Sequence, residues 1–204
     1  MLKNRAGFVV PPLVPQNIKR SLADPKWRRG DFLVSLVNKF GWTSGAELGL
    51  WEGATIGTLL ESCPKLHMVG VDLWEPQPAN PGPEGYEGWD HSKHEARCRR
   101  RCAPYSDRVV LHKMMTGEAA ALVPDGSLDF VFIDADHSEV GCRTDILAWR
   151  PKLKPTGWLL GHDINWPGVA TAVASLVPNY LIGPNVVWFR PLNPAPGWRA
   201  AWSK

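Results

Sequence analysis

Glu47-Leu48-Gly49-Leu50-Trp51-Glu52-Gly53-Ala54-Thr55 joins a short apolar run, two glycines four positions apart and the start of a helical pattern. That order of residue types builds a strand turning into a helix that starts near Ala54, and such a turn cradles a nucleotide-like ligand. The glycines let backbone N–H groups approach the ligand, and the helix N-terminus points partial positive charge at any carboxylate or phosphate placed there. Further on, the apolar run Met68-Val69-Gly70-Val71 ends in Asp72, a carboxylate placed where ribose hydroxyls lie in a βαβ nucleotide-binding unit. The pairing of turn and carboxylate is more informative than either part.

The glycines depart from the dinucleotide fingerprint G-x-G-x-x-G, because only Gly49 and Gly53 are present and the acidic Glu47 precedes them. Residues 44–72 instead resemble the class I S-adenosylmethionine-dependent methyltransferases, whose first motif reads E-x-G-x-x-x-G-x-S/T and whose second strand ends in an acidic residue. The resemblance continues through Leu128-Asp129-Phe130-Val131-Phe132-Ile133-Asp134-Ala135-Asp136-His137-Ser138, then Asp145-Ile146-Leu147-Ala148-Trp149-Arg150-Pro151-Lys152-Leu153-Lys154-Pro155, and Gly157-Trp158-Leu159-Leu160-Gly161-His162-Asp163. Together these blocks, spanning roughly residues 44–164, are similar to the small bacterial branch related to macrolide-sugar and cephalosporin O-methyltransferases. They are specific for the cofactor and uninformative about the substrate.

The resemblance implies a role for each matched position. Glu47 opens the cofactor motif, Gly49 and Gly53 leave room for the methionine end of S-adenosylmethionine, and Thr55 hydrogen-bonds its carboxylate. Asp72 accepts both ribose hydroxyls or, on a plainer reading, serves as a structural cap. Met115 and Thr116 correspond to positions that flank adenine, although methionine is also a common core filler.

Methyl transfer asks for in-line placement of a nucleophile and, for a hydroxyl, removal or masking of its proton. Asp134 and Asp163 end neighbouring strands, where their carboxylates would converge on a divalent cation such as Mg²⁺ that lowers a bound hydroxyl's pKa. Related metal-dependent enzymes follow this aspartate with asparagine or aspartate. Here the run is His162-Asp163-Ile164-Asn165, which leaves metal dependence open, with His162 or Asn165 as substitute ligands. His137 falls where catechol-type relatives keep a catalytic lysine and is the candidate general base; the alternative is that it caps the following helix or holds Asp134. Asp145 and Trp149 read as packing and solvent-facing residues.

The elements that must position these groups alternate between apolar runs and helical patterns, the signature of a Rossmann-like, doubly wound α/β fold. Its mostly parallel seven-stranded sheet, antiparallel terminal strand and helices on both faces follow from the resemblance. The expected elements are a helix over 27–40, strand 46–48, helix 55–61, strand 67–71, helix 92–102, strand 109–112 and a short helix from Gly117. Strand 130–133, helix 140–149, strand 158–161, a helix from about Gly168 and the runs 180–182 and 186–189 complete the chain. The Pro/Gly-rich segment Trp74–Trp89 reads as a lid over the ligand edge or as a linker. Residues 1–43 read as an N-terminal segment and helix, and 44–204 as the cofactor-binding domain of a single-domain chain.

At 204 residues the chain fits one α/β domain, and its net charge of +3 is too small to argue for nucleic acid. Arg97, Arg99, Arg100 and Arg101 form a local basic cluster that meets either solvent or an anionic substrate. The four cysteines, 63, 98, 102 and 142, lack a disulfide or zinc-finger pattern and read as reduced thiols of a cytoplasmic protein; zinc held by Cys98, Cys102, His91 and His94 is the remote alternative. The proline-broken N-terminus has no signal-peptide core, and no stretch approaches a membrane span.

The function expected is O-methylation of a small-molecule hydroxyl. Nucleic-acid or protein methylation is the rival within enzymes, weakened because the strand before Asp134 does not end in a D/N/S-P-P-Y/F/W motif. A cofactor-binding protein without transferase activity is the rival outside them. The eleven tryptophans line either an aromatic substrate pocket or a homodimer contact.

Overall fold

The computed structural model describes residues 28–75, 90–194, 196 and 198. The part of the candidate lid or linker segment beyond Glu75 and the first 27 residues lie outside them. In chain order the principal elements are α1 (Arg29–Phe40), β1 (Ser44–Leu48), α2 (Ala54–Ser62), β2 (His67–Asp72), α3 (His91–Cys102), β3 (Val109–Lys113) and α4 (Thr116–Ala119). They continue with β4 (Leu128–Ile133), α5 (Glu139–Trp149), β5 (Leu153–Gly161), α6 (Pro167–Leu176), β6 (Leu181–Ile182) and β7 (Trp188–Pro191).

The seven strands form one sheet in the order β3-β2-β1-β4-β5-β7-β6. The first five are parallel, and β7 runs antiparallel between β5 and β6. The order reverses at β1, so the crevice between the carboxyl ends of β1 and β4 is the switch point at which such sheets bind ligands. The expected elements are all present, with ends displaced by a few residues. The largest displacement is in β5, which starts at Leu153 rather than Trp158, and a register shift between Leu128 and Phe130 accommodates the added length.

Period-two alternation explains how the unbroken apolar run of β4 is used. Phe130 and Phe132 face one layer with α1, α2 and α3, whose contributions include Leu33, Leu36, Ile56, Leu59, Cys98 and Cys102. Val131 and Ile133 face the other with α4, α5 and α6, including Ile146, Trp149, Ala172 and Val173. Both faces of the strand are dry, as its composition requires. Helix α1 ends on Gly41 in the left-handed conformation, φ 66°, whose N–H returns to Val37. Among the described residues no helix is long and apolar enough to cross a membrane.

Candidate functional site

The turn after β1 is fastened by Asp72. Its Oδ2 accepts the backbone N–H groups of Leu50 and Trp51, both at 2.7 Å, and Oδ1 accepts that of Trp74 at 2.7 Å. The Trp74 indole then donates to the Trp51 carbonyl at 2.8 Å. The carboxylate therefore does the structural work of the plainer reading, while lone pairs on Oδ1 remain for a hydroxyl donor. Trp51 and Trp74 hold positive φ angles of 48° and 45°, costly for bulky side chains and sustained here by these bonds.

Both motif glycines are demanded by the protein itself. A Cβ on Gly49, φ 83°, would stand 2.2 Å from the Asp134 carbonyl oxygen, and one on Gly53, φ 72°, would stand 2.7 Å from Cys98 Sγ. The first contact brings the turn directly against the end of β4. Glu52 ties the same turn to α3 through His94 at 3.0 Å and through Arg97. Arg99 pairs with Glu95 and lies over the Trp74 ring. Part of the basic cluster is thus engaged by the fold.

Glu47 is buried, 1% exposed, and its Oε2 has no partner. Burial pushes its pKa well above the usual carboxylate range against the opposing pull of Arg29. Thr55, also buried, accepts a hydrogen bond from Arg29 Nε at 2.9 Å. Met115 is exposed, two residues past the end of β3. The Thr116 hydroxyl instead points inward to Asp145 Oδ1 at 2.6 Å, and its carbonyl receives the Trp149 indole. Asp145 and Trp149, read as packing and solvent-facing residues, are both packing residues: each is buried, because α5 lies against the sheet on that face. Burial raises the Asp145 pKa to about 7 against the Thr116 bond.

The second half of the site assembles where β4 and β5 end side by side. Asp134 N–H bonds to the Leu48 carbonyl at 2.8 Å and His162 N–H to that of Ile133 at 2.9 Å, so the ladder itself sets these residues in register. His162 Nδ1 lies 3.0 Å from Asp163 Oδ2 and 3.3 Å from Asp134 Oδ1, and His137 Nε2 lies 2.8 Å from Asp163 Oδ2. Asp163 adopts φ 54°, a left-handed conformation in a non-glycine residue. Burial alone would depress both histidines, but the carboxylate bonds outweigh it: His137 rises above its ordinary value and His162 reaches about 9. Burial would raise Asp163, yet its two histidine partners hold it below the usual range.

His137 does not cap α5. That position belongs to Ser138, whose Oγ accepts from Gly141 N–H at 3.0 Å. Its carboxylate partner is Asp163 rather than Asp134, and the Trp166 ring stacks on it at 4.9 Å.

Arg29 joins the two halves and was invisible in the sequence. Its Nη2 is 3.2 Å from Asp134 Oδ2 and its Nη1 3.4 Å from His162 Nδ1, in addition to the Thr55 bond. Its partners are 26 to 133 residues distant, so no local spacing marks it. The one sequence signal is a cation at the opening of a helix whose position over the sheet could be foreseen.

Among the described residues, Asp134, His162 and Asp163 are the one group whose ligand atoms lie within 4.8 Å of one another. Two carboxylate oxygens and an imidazole fit a divalent cation, with nitrogen favouring a first-row metal such as Mn²⁺ over Mg²⁺. Asn165 is not needed to complete this group. No comparable group unites Cys98 and Cys102 with His91 and His94 among the described residues, and all four cysteines are buried and free.

Residues 46–164 match the family model of a methyltransferase domain. No curated protein matches the chain. Among solved structures, the fold is similar to a Staphylococcus aureus protein provisionally described as a caffeoyl-CoA O-methyltransferase, at 14% identity over 86% of this chain and 88% of that one, with a TM-score of 0.61. It is also similar to a calicheamicin methyltransferase, at 16% identity over 85% and 89% of the two chains, TM-score 0.60. A Podospora anserina methyltransferase with bound S-adenosylhomocysteine shares 16% identity over 86% and 87%, TM-score 0.56.

Proposed function

The chain belongs to the methyltransferase family, as a class I S-adenosylmethionine-dependent enzyme, and on that premise we propose that it methylates a hydroxyl oxygen of a small molecule. The observation that carries this reading is the contact between the two halves of the site. The Gly49 turn lies against the Asp134 backbone, so a cofactor on the turn would present its methyl group to the His137–Asp163 pair.

Bound S-adenosylmethionine would supply an electrophilic sulfonium methyl group. Glu47, Gly49, Gly53, Thr55, Asp72 and Met115 would hold it, and the orphaned, buried Oε2 of Glu47 supports the fit by offering an acceptor to the methionyl ammonium. Thr116 contributes through its backbone position rather than its inward-turned hydroxyl. Asp163 accepts a hydrogen bond from His137 Nε2–H and so leaves Nδ1 as the basic nitrogen of the neutral ring. His137 then removes the acceptor's hydroxyl proton as the oxygen approaches in line, and Asp163 stabilises the imidazolium that forms. Trp166, stacked on His137, gives the acceptor site an aromatic wall, which favours a substrate with an apolar or ring-shaped face, such as a sugar or polyketide-like compound.

A divalent cation on Asp134, His162 and Asp163 is the second reading, supported by the convergence of their ligand atoms. Such an ion would lower the pKa of a bound hydroxyl. A chelator separates the two: activity that survives it supports His137 acting alone, and activity lost and restored by Mn²⁺ or Mg²⁺ supports the ion. A cytoplasmic location accords with four free, buried cysteines. A homodimer remains part of the proposal, resting on the tryptophan content. Transfer of labelled methyl groups to a panel of hydroxylated metabolites tests the function; transfer to nucleic acid or protein alone would overturn it.

A further inference from the structure

We infer that Arg29 is the clamp for the methionyl carboxylate of the cofactor, an inference that rests on the S-adenosylmethionine reading. Two bonds fix the guanidinium at the junction of α1, α2 and β4: Nε to Thr55 Oγ1 at 2.9 Å and Nη2 to Asp134 Oδ2 at 3.2 Å. A guanidinium carries five N–H groups in one plane, and these two bonds leave others for a ligand. The side chain keeps 30% of its surface exposed, which leaves an approach to them open.

Thr55 adds the second element. Its hydroxyl is the acceptor in its bond from Arg29, so its own proton stays available to donate. It is the second residue of α2, where first-turn N–H groups have no partner within the helix. Cation, hydroxyl and helix N-terminus together make a cradle for one carboxylate. The third element is the neighbouring carboxyl group: Glu47, 1% exposed with Oε2 unpartnered, lies close enough to Arg29 to feel its charge. An α-amino acid carries a carboxylate and an ammonium on one carbon, and this cation beside a buried orphan carboxyl oxygen matches both. A purely structural ion pair with Asp134 would explain neither the Thr55 bond nor the unpartnered Glu47 oxygen.

The test compares two ligands by calorimetry. S-adenosylhomocysteine contains the amino-acid end; 5′-methylthioadenosine keeps the nucleoside and thioether and lacks that end. In Arg29→Met, affinity for S-adenosylhomocysteine should fall at least tenfold while affinity for 5′-methylthioadenosine stays within about twofold of wild type, which also reports an intact fold. Arg29→Lys, retaining charge without the fork, should recover part of the loss. Unchanged S-adenosylhomocysteine binding in Arg29→Met, or an equal loss for both ligands, overturns the clamp and leaves the cofactor reading standing. A wild-type protein that binds neither ligand overturns the cofactor reading and the clamp with it.

Discussion

On the β1–β2 side of the ligand edge, Asp72 gathers three backbone N–H groups, and the polar surface of the turn is built of peptide dipoles. On the β4–β5 side, Asp134, His137, His162 and Asp163 meet through side-chain charges between 2.8 and 3.3 Å apart, and Arg29 bridges from Asp134 to Thr55 on the cofactor side. Peptide groups do not titrate, and their geometry follows from φ and ψ alone. A charge cluster titrates and depends on distant elements arriving in register. Binding of the nucleoside should therefore be indifferent to pH near neutrality, whereas transfer should follow the cluster's protonation.

The largest effect expected from breaking this division is in the rate. His137→Ala should lower kcat by roughly 10²–10⁴ with S-adenosylhomocysteine affinity unchanged. A variant that retains full activity would move the base elsewhere in the cleft. In the wild type, the base form of His137 appears only as pH rises through a pKa held above its ordinary 6.5, so kcat/KM should climb with pH beyond neutrality. Affinity for 5′-methylthioadenosine, which lacks the amino-acid end, should stay flat over the same range; parallel profiles would contradict the division.

A smaller effect, on stability, probes the seam between the halves, where Asp145 on α5 holds Thr116 after β3. Its folded pKa of about 7 lies above the ordinary 3.8, so the folded state keeps a proton that the unfolded chain has released. The stabilising contribution is complete below about pH 4 and is lost as pH rises to about 7, a difference of up to about 4 kcal/mol. Asp145→Asn removes the titration, and the variant should gain on wild type between pH 4 and 8 in denaturant unfolding. Identical pH dependence in the two proteins would show that burial does not hold Asp145 protonated.

The same division explains what could be read from the chain. Strand and helix identities, the turn and Asp72 follow from contiguous patterns, because local backbone conformation is what those patterns encode. Asp134 and Asp163 were legible as neighbours once β4 and β5 were recognised as adjacent parallel strands. The partner choice within the cluster was not: His137 turns to Asp163 because Ser138 takes the cap, and Thr116 turns inward because α5 buries an aspartate behind it. Arg29 was legible only as a cation opening a helix, since its partners, 26 to 133 residues away, depend on where α1 settles over the sheet. The glycines were identified for the ligand's sake, yet the closest neighbours of their missing Cβ atoms are Asp134 and Cys98.

Calorimetric titration of S-adenosylhomocysteine into wild type, Asp72→Ala and His137→Ala tests most directly whether one half binds while the other reacts. Asp72→Ala frees the turn and removes charge-assisted bonds of ~1.5–3 kcal/mol each, so its affinity should fall at least tenfold, while His137→Ala should match wild type. Unchanged affinity in Asp72→Ala, or a comparable loss in His137→Ala, would contradict the account.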